Sequence, residues 1–172
     1  MSQSQRAVIK DPTVAAQRTL LVLERELMDT LALQSQLRQA RFRLDDTRFL
    51  SLVDSLDREL VTFVERIRNR LDSWGQRKPA PDPNAPFWNW FKNDSDQPSE
   101  QFRYLVSAYV RYEKRTLEAI ENLEWYGDVE SWNLLRSILG YIERCLCFLE
   151  VYLEGLALNT DSRLMPQWTA TA

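Results

Sequence analysis

Acids able to hold a hard cation are scattered along this chain, at Glu24, Asp57, Glu113 and Glu143. Histidine, the commonest metal ligand at neutral pH, is absent from all 172 residues. An all-oxygen site is therefore the form of metal chemistry open to the chain, and carboxylates on otherwise apolar helix faces would be its mark. The local context points to another use. The acids stand beside basic residues in Glu24-Arg25-Glu26, Asp57-Arg58-Glu59, Glu65-Arg66, Glu113-Lys114-Arg115 and Glu143-Arg144, the pattern of solvated or interfacial ion pairing. Arg38, Arg41, Arg43 and Arg48 form a denser basic cluster, read as interface or surface pairing with phosphate binding as the alternative. Cys145 and Cys147 project about 200° apart on an expected helix, which argues against a shared ligand or a bridge. No phosphate-binding glycine loop, nucleophile elbow or zinc signature occurs.

These side chains need a scaffold, and composition limits its kind. Hydrophobic residues at 44% and charged residues at 27% are globular proportions. A chain of 172 residues is expected to form one domain over its whole length and to bury about two-thirds of its unfolded surface. The net charge of −3 gives no general attraction to polyanions. No apolar run approaches the roughly 18 to 20 residues that a membrane span needs. Met1 to Lys10 is polar and lacks the apolar stretch of a signal peptide, so the cytoplasm is the expected location.

Apolar spacing predicts an all-α fold of four helices, at about 12–43, 46–74, 99–126 and 129–157. Asp11-Pro12 is a helix start, after which Leu20, Leu23, Leu27 and Leu31 keep a three-four spacing that becomes polar at Gln34, Gln36 and Arg38. The second stripe is the cleanest: Phe49, Val53, Leu56, Leu60, Phe63, Ile67, Leu71 and Trp74, ended by Gly75. The third runs Phe102, Leu105, Tyr109, Tyr112, Thr116, Ile120 and Leu123, and the fourth runs from Val129 and Trp132 to Leu153 and Leu156. Gly127-Asp128 separates them as a stop and a fresh N-cap, with Glu130 behind it at the positive end of the helix dipole. Between the hairpins, 76–98 collects five of the seven prolines and the aromatic knot Phe87-Trp88-Asn89-Trp90-Phe91. Such length suits a crossover along the bundle, and four aromatics in five residues predict a short helical turn buried on the bundle or on a partner subunit. Phe87, Trp88, Trp90 and Phe91 are accordingly the expected interface residues, and Trp125 and Trp132 are read as core or interface anchors.

Two stretches carry a family likeness. Gln39-Ala40-Arg41-Phe42-Arg43 followed by Arg48-Phe49-Leu50-Ser51-Leu52-Val53-Asp54-Ser55-Leu56-Asp57, and Gly127-Asp128-Val129 followed by Leu134-Leu135 and Ile142-Glu143-Arg144, resemble the Dps family of mini-ferritins. The resemblance implies a ferritin-like four-helix bundle and a homo-oligomer of dodecameric shell type. It also implies iron as cargo, DNA as a partner, and a role in iron storage and DNA protection under stress. That family oxidises iron between two subunits, using two histidines from one and an aspartate and a glutamate from the other. Here Arg41 and Val53 stand at the histidine positions, and Asp57 keeps the acid that follows. Carried forward without gaps, the later acids fall on Arg68 and Asp72; with the second helix three residues shorter, they fall on Glu65 and Asn69. Asp57 and Glu65 are then remnants of a metal site, no catalytic residue is assigned, and the usual ferroxidase step is not expected. The resemblance further implies a DNA-binding arm at Arg6 and Lys10 and pore-lining acids at Asp128 and Glu130. The alternative reading is a non-catalytic helical bundle that serves a structural or partner-binding role.

Overall fold

The computed structural model describes residues 11–43, 47–75 and 98–162. Among them are four helices and no strand: α1 (Pro12–Arg43), α2 (Thr47–Ser73), α3 (Pro98–Tyr126) and α4 (Val129–Ser162). Local chemistry sets their ends. Asp11 caps α1, its Oδ1 accepting the Thr13 amide at 2.9 Å and its carbonyl the Ala15 amide at 3.1 Å, with Pro12 where a missing N–H costs nothing. Gly75 and Gly127 adopt φ of +74° and +73° and close α2 and α3 with amides donated to the Asp72 carbonyl at 2.9 Å and the Leu123 carbonyl at 3.0 Å. Asp128 caps α4, accepting the Ser131 amide at 3.2 Å. That helix runs on to Ser162, past the expected end near 157, because Leu156-Ala157-Leu158 contains good helix formers and no breaker follows before Pro166.

Side-chain contacts give the register. Pairs between Glu26 and Thr116 and between Thr30 and Tyr112 show α1 antiparallel to α3. Gln34 and Arg38 meeting Asp57, with Arg41 meeting Asp54, show α1 antiparallel to α2. α4 packs chiefly on α3 and lightly on α2. Since α2 and α3 both oppose α1, α2 ends and α3 begins at opposite ends of the bundle. The expected aromatic turn at Phe87, Trp88, Trp90 and Phe91, and the arm with Arg6 and Lys10, lie outside the described residues.

The core follows the periodic positions. Phe49, Val53, Leu56, Leu60, Phe63, Ile67 and Leu71 of α2 and all seven stripe residues of α3 are buried. Each fully buried Leu, Ile or Phe contributes about 1.5–3 kcal/mol, against about 0–1 for an exposed ion pair, so this file holds the bundle together. Phe49, Phe102 and Tyr152 close one end as an aromatic cluster, with centroids 5.0 to 5.7 Å apart. Two features depart from expectation. Val129 is exposed rather than core, because it sits at the α3–α4 turn, outside the helix overlap; Trp125 beside it is exposed too, which leaves it out of the core of this chain. The inward face of α1 is not the leucine stripe alone but Thr19, Leu23, Glu26, Thr30, Leu33, Leu37 and Ala40, with Gln34 beside them.

Candidate functional site

Three polar centres punctuate this bundle, each built on a different helix pair. At the α1–α2 rim, Asp57 Oδ1 accepts hydrogen bonds from Gln34 Nε2 at 3.0 Å and Arg38 Nε at 2.9 Å, and Oδ2 accepts one from Arg38 Nη2 at 3.3 Å. Beside it Arg41 Nε lies 2.8 Å from Asp54 Oδ1. A shallow open groove over this rim is lined by Arg41, Leu50, Ser51, Asp54, Asp57 and Arg58. Val53, which the resemblance sets at a histidine position, is fully buried in the core, and the residue turned to the groove is its neighbour Asp54. Glu65 is exposed on the same helix as Asp57, two turns or about 12 Å further along, so the two acids do not converge within one chain. Nor do Glu24, Glu113 and Glu143 join them: among the described residues no three or more acids, cysteines or histidines gather as metal ligands. Three of the lone pairs of Asp57 are directed at Gln34 and Arg38, and the Arg38 guanidinium beside it opposes a cation there.

The second centre ties α2 to α4. Arg70 donates from Nη2 to Asp128 Oδ1 at 2.7 Å and from Nε to Ser131 Oγ at 2.9 Å, pairs through Nη1 with Glu130, and lies over the Trp74 ring at 5.4 Å. Asp128 also accepts the Ser131 hydroxyl at 2.5 Å. Both acids that resemblance assigns to a pore are therefore engaged by one arginine of their own chain. Arg70 in the last turn before Gly75 was the available signal, a cation placed for a helix C-terminus, but its partner helix could not be read from spacing.

The third centre is inside. Glu26 of α1 is 2% exposed, in the middle of the seam with α3. Its Oε1 lies 2.7 Å from Thr116 Oγ1, and the Tyr112 hydroxyl is also within its hydrogen-bonding reach. Thr30 Oγ1 donates to the Glu26 carbonyl at 2.7 Å and stands 2.7 Å from the Tyr112 hydroxyl, while Thr116 Oγ1 is 3.0 Å from the Tyr112 carbonyl. Burial pushes the Glu26 carboxyl up from 4.5 to about 7; the Thr116 and Tyr112 hydrogen bonds oppose that rise, Asp29 adds to it, and Arg25 opposes it. Burial likewise raises Tyr112 well above its ordinary value, and the Glu26 charge raises it further. One turn away, Asp29 pairs with Arg115 across the seam and lies 3.9 Å from Arg25. Its carboxyl is also raised by burial, with Arg115 the main opposing influence.

Sequence reasoning placed Glu26 in a solvated charge triplet, and the structure corrects that. The signal was present: 19, 23, 26, 30, 33, 37 and 40 alternate steps of four and three, and Glu26 fits that frame as Arg25 does not. Cys145 is buried and Cys147 exposed, as opposite projection requires. Burial raises the Cys145 thiol to about 11, which keeps it protonated and a poor ligand at neutral pH.

No family model and no curated protein matches this chain by sequence. Solved structures do match it. A mutant of Dps1 from Mycobacterium smegmatis superposes with a TM-score of 0.73 at 16% identity, over 81% of this chain and 97% of that one. Dps92 from Deinococcus radiodurans superposes with a TM-score of 0.71 at 16% identity, over 81% of this chain and 87% of the other. Four helices with α2 and α3 both antiparallel to α1, laid over these structures across nearly their full length, make this chain a Dps-like protein in fold: a ferritin-like four-helix bundle.

Proposed function

We propose that the chain is a Dps-like mini-ferritin subunit that assembles with copies of itself, as a dodecameric shell, and stores iron and shields DNA under stress without the usual histidine-containing ferroxidase centre. The observation that carries this reading is the superposition, which spans 97% of the Dps1 structure. No helix of the described residues is long and apolar enough to cross a membrane, which agrees with a cytoplasmic shell. In this reading the 1–172 chain acts as one domain. Phe87, Trp88, Trp90 and Phe91 seal subunit contacts, Arg6 and Lys10 give each subunit a small basic arm multiplied by assembly, and Asp128 and Glu130 face the entry route for iron.

Iron is cargo here, and the residues present do not fit an oxidising centre. Asp57 is held by a fixed positive charge that repels Fe²⁺, and neither histidine position carries an imidazole, Arg41 and Val53 standing there instead. That same pairing favours a second reading, a bundle of this fold used only as a structural or partner-binding protein. Light scattering of the purified chain, before and after iron loading, separates the two. The proposal expects a shell-sized particle that acquires an electron-dense iron core. A metal-free monomer or dimer that takes up no iron overturns it.

A further inference from the structure

The hydroxyls at the α1–α3 seam have few protons to offer a charged Glu26. Thr30 must donate to the Glu26 carbonyl, since a carbonyl has no proton to give. The 2.7 Å contact between Thr30 and the Tyr112 hydroxyl therefore uses the tyrosine proton. Thr116 has one proton and two acceptors in reach, the Tyr112 carbonyl at 3.0 Å and Glu26 Oε1 at 2.7 Å. An ionised Glu26 can only accept. It would accept the Thr116 proton, while the Tyr112 carbonyl keeps its helix amide, and could gain a second donor only by taking Tyr112 from Thr30. A protonated Glu26 needs no second donor and leaves the Tyr112–Thr30 contact in place.

No cation replaces that proton. On α1, Arg25 is turned largely to solvent and Asp29 is an acid; on α3, Arg115 is engaged by Asp29. α2 and α4 turn Val64, Ile67, Leu135 and Ile138 to the core; of the charges near this end Arg70, Asp128 and Glu130 are joined to one another, Glu65, Arg66, Asp72 and Arg136 are exposed, and Arg68 is half-buried. A bare carboxylate in such surroundings is far costlier than a neutral acid with the same hydrogen bonds.

We infer that Glu26 is a proton-binding site built into the bundle, held as a neutral carboxylic acid whose ionisation on alkalinisation loosens the α1–α3 seam. Its raised pKa agrees, moving from 4.5 to about 7. Linkage sets the sign. Below 4.5 both folded and unfolded chains carry the proton. Between 4.5 and about 7 only the folded chain keeps it, so stability falls as pH rises through this window and levels off above it. The folding equilibrium should change on the order of a few hundredfold over the window. The absence of histidine makes the effect readable, because no ordinary imidazole titrates there.

The test is thermal unfolding of the full chain between about pH 5 and pH 8, for wild type, Glu26→Gln and, as a control, Asp29→Asn. Glutamine keeps the shape and the donor and cannot ionise. The expected result is a wild-type midpoint that falls toward alkaline pH, a Glu26→Gln midpoint that loses most of that fall and exceeds wild type at the alkaline end, and an Asp29→Asn midpoint that keeps most of it, since Asp29 is itself raised by burial and adds a smaller share. A slope that survives Glu26→Gln, or that vanishes in Asp29→Asn while Glu26→Gln retains it, overturns the inference. Should Glu26→Gln not fold, infrared spectra of wild type labelled with ¹³C-glutamate decide: a carboxylic acid carbonyl band present at neutral pH and lost on alkalinisation supports the site, and its absence overturns it.

Discussion

Asp57 and Glu26 are two acids that help hold α1 to its neighbours, one at a rim and one in the core, and the chain neutralises them by different means. Asp57 is 27% exposed and meets the Arg38 guanidinium and the Gln34 amide. Glu26 is 2% exposed and meets hydroxyls only. Water remains near the first, so a fixed cation can sit beside it at little desolvation cost and at little net gain. Water is excluded from the second, and bringing a guanidinium there would bury two charges instead of one. A proton is the smaller counter-charge. Neither arrangement resembles a metal centre, in which several acids must share one point in space and remain free to ligate.

Removing each group separates these cases by size of effect. The largest loss is expected for Glu26→Ala at about pH 5, roughly 3–4 kcal/mol, since it opens a cavity at the seam and removes the side chain that meets Thr116 across it; urea denaturation showing under about 1 kcal/mol would mean that the seam relaxes and that the contrast with the rim fails. Arg70→Ala comes next, at about 2–3 kcal/mol, because Asp128 is only 9% exposed and would be left with Ser131 alone. This case joins a cation to burial and so asks which of the two sets the strength. Arg38→Ala should cost under about 1 kcal/mol, and less in high salt. A loss near that of Arg70→Ala would show the rim to be more enclosed than its exposure indicates, most simply by contact with another subunit.

How much of this was readable beforehand differs between helices for a physical reason. α2 has one apolar stripe with charges elsewhere, so periodicity alone locates Phe49 through Leu71 in the core. α1 carries two overlapping stripes, one rich in leucine and one that mixes leucine with threonine and glutamate; tertiary packing, not local pattern, makes the mixed stripe the inward one. The caps at Asp11, Gly75, Gly127 and Asp128 act within a few residues and were legible as local chemistry. The partners of Arg70 and Glu26, about sixty and ninety positions away, were not, because ion pairs and hydroxyl networks leave no spacing rule across helices.

Oxygen-dependent oxidation of Fe²⁺ by the assembled protein, followed by absorbance beside a protein-free buffer, tests the central claim that this bundle keeps the mini-ferritin scaffold without its oxidising centre. The account predicts a rate indistinguishable from buffer, in wild type and in Asp57→Asn alike. A wild-type rate well above buffer that falls in Asp57→Asn would contradict it, and would mean that Asp57 leaves Arg38 and completes a carboxylate-built centre with a neighbouring subunit.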